Sequence, residues 1–307
     1  MKSIATTETT AYLRSNRGLL KIGGNDRLKF LNAITTSDVK ALNPGSFQKS
    51  CILNPKGKIL FEFNLMCFED FLFLETDVQK IDSLVSFLVK YRMASQVTFE
   101  NQSENINQWI VFNDDNIGDG FRFKSMLFPQ STSVFVNKRQ SVEMESMRKL
   151  NLEDFERFRV CQGIPIYGKD IGEDTIIAEV PYFQDAISYT KGCYPGQEII
   201  ARLASRGGNV SKRLMGVEVM DTQGLKNKEV DVIYQGEVVG RLTSGTYIIE
   251  ASNRYIGMGL IHRKAFEPGT IVELAHPDGE KVTGQIRSLS LHSSDTQKRG
   301  APKLEVK

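Results

Sequence analysis

Lys191-Gly192-Cys193-Tyr194-Pro195-Gly196-Gln197-Glu198, followed by Ile199-Ile200-Ala201-Arg202, places a cysteine and a lysine among glycines just ahead of a helix-like run. Ile199, Ile200, Leu203 and Ala204 give that run one apolar face. Pro195 suits either the first helical turn or the second position of a tight turn, and Gly196 permits both. In either geometry Cys193 precedes a helix N-terminus with Lys191 two residues away. Free N–H groups, the helix dipole and a nearby ammonium all favour thiolate over thiol. The alternative is a buried thiol packed as a small hydrophobe. The polar and glycine neighbours favour the reactive, partly exposed reading.

The chain has 307 residues, enough for a sizeable core and about two domains. Lys+Arg 39 against Asp+Glu 37 gives a net charge of +2, so nothing points to nucleic acid or an anionic membrane. Cys51, Cys67, Cys161 and Cys193 are scattered without a C-x-x-C pair, poor material for a disulfide framework or a zinc site. No apolar run approaches the ~18 to 20 residues that span a bilayer, and Met1 to Asn16 lacks the apolar segment of a secretory signal. A cytoplasmic protein without a metal site is expected. His262, His276 and His292 all lie in the last sixth, so a Cys–His pair would need one of them folded back onto Cys193.

Outward from the motif, strand patterns cover Arg17 to Gly24, Cys51 to Leu53, Phe71 to Leu74 and Gln96 to Phe99, and Ile59, Phe61, Phe63, Leu65 and Cys67 alternate onto one face. Asn25 or Asp26 caps a helix carrying Leu28, Leu31 and Ile34. Thr76 or Asp77 caps another through Val78, Ile81, Leu84, Val85 and Leu88. That order predicts an α+β unit with helices on one face of an antiparallel sheet. Residues 101 to 150 repeat the plan more weakly, with strands at Trp109–Phe112 and Val134–Val136, a loop from Asn113 to Gly120, and a helix over Val142–Leu150. A stronger helix through Leu152, Phe155 and Phe158 stops at Gly163, and 166 to 190 is a long loop delivering the chain to Cys193. Beyond Asn209, short apolar runs separated by turns such as Pro277-Asp278-Gly279 predict a small antiparallel barrel or sandwich.

The opening stretch closely resembles the K-G-C-[FY]-x-G-Q-E motif of the YgfZ family of folate-binding proteins, relatives of the glycine cleavage T-protein (aminomethyltransferase). Lys191, Gly192, Cys193, Tyr194, Gly196, Gln197 and Glu198 match it. Agreement continues through Arg17-Gly18 to Ile22, Phe30-Leu31 with Thr36-Ser37-Asp38-Val39, and Leu53-Asn54-Pro55-Lys56-Gly57-Lys58. It extends to Tyr91-Arg92-Met93, Arg159-Val160-Cys161-Gln162-Gly163-Ile164-Pro165, Tyr167-Gly168-Lys169-Asp170, Gly240 to Gly245, and Pro268-Gly269-Thr270.

The resemblance implies an α+β, T-protein-like folate-binding fold, with ferredoxin-like subdomains and a C-terminal antiparallel β-barrel. Its divisions fall at 1–208 (subdomains about 1–100 and 101–208), 209–292 for the barrel, and a disordered tail over 293–307. It implies tetrahydrofolate or another folate as cofactor, with Arg17, Asn54, Phe155 and Arg159 as folate-binding residues. A surface arginine at 17 and a core phenylalanine at 155 remain equally open. It further implies an accessory role in biogenesis or repair of [4Fe–4S] proteins, with assembly factors or client enzymes as partners. In that role Cys193 and Lys191 do the chemistry, and Glu198 pairs with Arg202 to hold the loop. An ordinary helix pair worth ~0.2 to 0.5 kcal/mol is the alternative for those two. The competing activity is tetrahydrofolate-dependent aminomethyl transfer. Against it, the carboxylate positions of T-proteins correspond to Phe61 and Glu62, and their folate-contacting Glu to Cys161.

Overall fold

The computed structural model describes residues 9–113, 120–124, 131–219, 230–248, 254–275 and 281–289. The interior of the Asn113–Gly120 loop, the Pro277-Asp278-Gly279 turn, His276, His292 and the 293–307 tail lie outside them.

In chain order the elements are β1 (Thr10–Leu13), β2 (Arg17–Gly23), α1 (Arg27–Ile34), β3 (Phe47–Leu53), β4 (Ile59–Cys67), β5 (Phe71–Asp77), α2 (Ile81–Arg92) and β6 (Thr98–Asn101). Then come β7 (Ile106–Phe112), β8 (Phe121–Lys124), β9 (Ser131–Asn137), α3 (Val142–Ser146), β10 (Arg148–Lys149), α4 (Leu152–Gln162) and α5 (Gln197–Ser205). The barrel strands follow as β11 (Lys212–Val219), β12 (Val230–Tyr234), β13 (Glu237–Ile248), β14 (Arg254–His262), β15 (Ile271–Ala275) and β16 (Lys281–Arg287).

The first sheet has the order β3-β4-β5-β2-β6. Apolar residues of α1 and α2 at helical spacing, Leu31, Ile34, Ile81, Leu84 and Leu88, bury one of its faces together with Leu20, Phe63 and Leu65. The other face presents Leu19, Met66 and Phe73 to Phe123 and Phe135 of the second sheet, whose order is β10-β1-β7-β9-β8. The third unit is a closed barrel in the order β11-β14-β13-β12-β15-β16, with its own core of Val217, Val232, Leu242, Tyr255 and Ile286. Closure removes the exposed edges an open sheet would leave. The fold is mixed α+β with a six-stranded antiparallel barrel, as the sequence predicts.

Several local expectations are corrected. The helix predicted over Val142–Leu150 ends at Ser146; Met147 is extended, and Arg148–Lys149 pair in parallel with Thr10 and Ala11. An edge of the second sheet thus overrides helical periodicity. A bulge where β3 and β4 pair shifts the register between Ile52 and Leu53, so Ile59 leaves the face shared by Phe63, Leu65 and Cys67. Val238–Leu242 and Tyr247–Ile248, which the sequence separates as two apolar runs, are parts of one strand, β13, bulged between Leu242 and Ser244, while Ile249 lies outside the described residues. Asp26 precedes α1 without capping it; its Oδ2 accepts from the Gln96 N–H at 2.8 Å. The strand expected at Gln96–Phe99 runs from Thr98 to Asn101, and the subdomain division near residue 100 is crossed by β1, which belongs to the second sheet. The long segment 166–190 carries two short 3₁₀ turns, Ile177–Glu179 and Pro181–Ala186.

Candidate functional site

Two features gather the sequence-predicted residues: the turn carrying Cys193, and a cleft between the first two sheets and α4. In the turn, Gln197 N–H donates to Tyr194 carbonyl at 3.2 Å, and Gly196 has φ 82° and ψ −5°. Pro195 therefore takes the second position of a type II turn, and Gly196 the third, which requires positive φ. A Cβ at Gly196 would stand 2.5 Å from the Asn54 carbonyl, so the turn is pressed against the β3–β4 hairpin tip. Tyr194 and Ile200 anchor its two sides in a shared cluster with Leu53, Ile59 and Phe183. Cys193 itself is exposed, whereas Cys51, Cys67 and Cys161 are buried. Burial pushes the Cys161 thiol up to about 12 and raises Cys51 well above its usual value.

Lys191 sends its ammonium to the Thr35 and Ser37 carbonyls, at 2.5 and 2.8 Å, and lies over the Tyr194 ring. Burial lowers its pKa to about 8, partly opposed by Asp38. The Thr36–Val39 stretch and the cysteine motif, far apart in sequence, are thus fastened together by Lys191 and by Ser188 N–H donating to Thr36 carbonyl. Glu198 and Arg202 form an exposed pair at 2.7 Å, the ordinary (i, i+4) contact.

The cleft encloses about 280 Å³. Arg17 and Glu62 lie on one side, Phe155, Glu156 and Arg159 of α4 on the other, with Tyr12 and Arg14 between. Tyr12 and Phe155 are stacked at 4.0 Å with planes 8° apart, giving the cleft an aromatic wall. Beneath it Glu75 is buried, accepting from Arg17 Nε, from Arg14 Nη1 at 3.0 Å and from Asn64 at 2.5 Å. Burial pushes the Glu75 carboxyl up, but Arg17, Arg14 and Asn64 outweigh it and hold its pKa below the usual range. Burial likewise opposes the Arg17 charge, and Glu62 and Glu75 more than restore it.

Arg159 is fully occupied. Its Nε and Nη2 both donate to the Glu156 carboxylate at 2.8 Å, Nη2 also to Ser244 Oγ at 2.7 Å, and Nη1 to Ile164 carbonyl at 2.6 Å and to Asp170 at 2.9 Å. Asp170 in turn accepts from Thr243 and Ser244 of the barrel, both at 2.6 Å. All five guanidinium N–H groups are engaged, and the residue serves as a clasp between α4, the 164–170 segment and the barrel.

Of the residues expected to contact folate, the structure brings Arg17, Phe155 and Arg159 to this cleft, while Asn54 sits in the β3–β4 turn, accepting from Lys56 and Lys58 N–H groups. Cys193 does not line the cleft. Cys161 packs with Val160, Ile248 and Ile256 and does not line the cleft. The sequence reading missed Arg14, Tyr12, Glu75 and Glu156. Glu156 was recoverable, standing one residue from Phe155 and one helical turn before Arg159; Arg14 and Glu75 carry no local signal because they meet only where the two sheets come together, from positions far apart in sequence.

A two-sheet body with a central cleft and a six-stranded C-terminal barrel defines the aminomethyltransferase-like class. Residues 212–291 match the family described as glycine cleavage T-protein C-terminal barrel domain. The structure superposes on the glycine cleavage system aminomethyltransferase T of Bartonella henselae with a TM-score of 0.78 and 16% identity, covering 92% of this chain and 86% of that one, a likeness of fold. By sequence the chain is 25% identical over 270 residues to the mitochondrial iron-sulfur cluster assembly factor IBA57 of Mus musculus, covering 77% of this chain and 75% of the relative. It is 23% identical over 300 residues to an aminomethyltransferase of Thermosipho melanesiensis, covering 85% and 79%. The chain is thus similar along most of its length both to aminomethyltransferases and to IBA57, and shares the T-protein fold.

Proposed function

We propose that the chain is a folate-binding accessory protein that supports the biogenesis or repair of iron–sulfur proteins, with Cys193 as its reactive group. The observation that carries this reading is the display of Cys193: among four cysteines only this thiol is exposed, held immediately ahead of a type II turn whose flanks are buried. One thiol cannot hold a cluster, which generally takes about four ligands. The described residues contain no group of three or more His, Cys, Asp or Glu placed to hold a metal ion. Cys193 therefore acts transiently or shares a ligand set with a partner, and similarity to an iron-sulfur assembly factor supports that role.

Folate occupies the Tyr12–Phe155 cleft in this reading. Cys193→Ser leaves the fold intact, because the side chain is exposed, and lowers the activity of [4Fe–4S] enzymes in cells depending on this protein. Full complementation by that variant removes Cys193 from the function. Calorimetric titration with folates tests the cleft. Trp109, buried in the second sheet against Lys149, does not line it and is a poor reporter.

Aminomethyl transfer is the second reading, favoured by Glu62, a carboxylate in the cleft. Its Oε1 accepts from Arg17 Nη1 at 2.8 Å, so that oxygen is already engaged by the protein. Turnover of an aminomethyl donor with tetrahydrofolate by the purified protein would establish this activity instead.

A further inference from the structure

Three arginines line the cleft, and they differ in how much hydrogen-bonding capacity remains. Arg159 has engaged all five of its N–H groups. Arg17 is bound through Nε to Glu75, through Nη1 to Glu62 and through Nη2 to the Glu75 carbonyl. Arg14 is different: among the described residues its side chain makes two hydrogen bonds, both from Nη1, to Glu75 at 3.0 Å and to Gln108 at 3.4 Å. Its Nε is buried without a partner, and among the described residues Nη2 makes no hydrogen bond. A buried donor left unmade is costly, by about 1–3 kcal/mol for a neutral group and more for a charged one. Burial also lowers the Arg14 pKa, with Glu75 compensating only in part. The side chain is thus short of acceptors at the point where it borders the cleft.

The neighbours define what would satisfy it. Tyr12, two residues away on β1, forms the stacked aromatic wall with Phe155, a surface suited to a flat ring. Around the floor, Arg14 and Arg17 are balanced by Glu62 and Glu75, so a neutral carbonyl oxygen adds an acceptor without an uncompensated buried charge.

We propose that Arg14 is the specificity-determining donor of the cleft, giving its unengaged guanidinium N–H groups to the ring carbonyl of a flat heteroaromatic ligand seated against Tyr12 and Phe155. This rests on the folate reading of the cleft and assigns a ligand atom to a residue. Such a contact is charge-assisted, and its loss weakens binding about ten- to hundredfold.

The test is calorimetric titration of the full-length protein, Arg14→Met and Arg14→Lys with folic acid and with pteroic acid, which keeps the ring but lacks the glutamate tail. Thermal unfolding is followed in parallel. Glu75 keeps Arg17 and Asn64 in both variants, so both stay folded. The methionine variant is expected to lose about ten- to hundredfold in affinity for both compounds alike, and the lysine variant to lose affinity for both as well. Unchanged affinity for both compounds in the methionine variant overturns the role of Arg14 and leaves the folate reading standing. Loss confined to folic acid overturns the ring assignment, because the acceptor is then the tail carboxylate. If the unmodified protein binds neither compound, the folate reading falls and the proposal falls with it.

Discussion

Glu75 is the residue on which the cleft floor depends. It is buried, yet its pKa lies below the usual 4.5 because two guanidiniums and an amide donate to it. As pH falls below about 4.5 the unfolded chain takes up this proton before the folded one does, so the stabilisation present at neutral pH is progressively lost on acidification. Urea unfolding of the native protein and Glu75→Gln between pH 7 and pH 3 should show the steeper acid loss in the native protein. The glutamine variant should be less stable at pH 7, with a flatter profile below 4.5. Parallel profiles would mean that other carboxylates carry the acid sensitivity. Neither Glu75 nor Arg14 was legible in the sequence, since a lone charged residue within a strand, or just past its end, reads the same whether it faces water or a partner. The motif residues were legible for the opposite reason: glycine and proline requirements are local, and Pro195-Gly196 states its turn type without help from the rest of the chain.

At the scale of elements, α4 is held by charge as much as by packing. It stops at Gly163, whose φ of 67° is the left-handed conformation predicted for a helix terminus. Immediately beyond, the clasp of Arg159 with Asp170 joins it to β13. Asp170→Ala would leave part of a buried guanidinium without its acceptor, although Glu156 still holds the other edge. A loss near the lower end of the range for broken buried pairs, about 3 kcal/mol, is expected in urea unfolding. Amide exchange should speed up in α4 and β13, with β5 unaffected. Helix existence was readable from apolar spacing, as in α2 and α4, whereas β10 and the single long β13 were not. Both depend on a distant strand that pulls a few residues out of their local preference, and a bulge of one residue is invisible to alternation.

The three units share core. Leu214 and Leu260 of the barrel pack in the same cluster as Cys51, Leu53 and Ile59 of the first sheet and Tyr194 and Ile200 of the motif segment. The first and second sheets meet through a phenylalanine cluster that includes Phe73 and Phe123. Cooperative unfolding in one transition is therefore expected, with Trp109 fluorescence reporting the second sheet and far-ultraviolet circular dichroism the whole. Transitions that separate by more than their width would show that the barrel unfolds independently. The barrel was readable as a change of texture after Asn209. The interleaving of the first two sheets was not, because periodicity reports which face a strand buries and says nothing about which strand lies beside it.

That interleaving has a consequence for how the chain is made. β1 pairs with Ile110 and Val111 of β7 on one side and with β10, from Arg148, on the other. It leaves the ribosome before them, for both its neighbours follow roughly a hundred residues or more later, an interval of about 5 to 20 seconds at ordinary elongation rates. Throughout that interval Thr10–Leu13 is an unpaired strand with open backbone donors and acceptors, a template for the wrong partner. The second sheet is thus closed by a strand made well before its partners, and the Tyr12 wall of the cleft comes into being only when synthesis has passed α4.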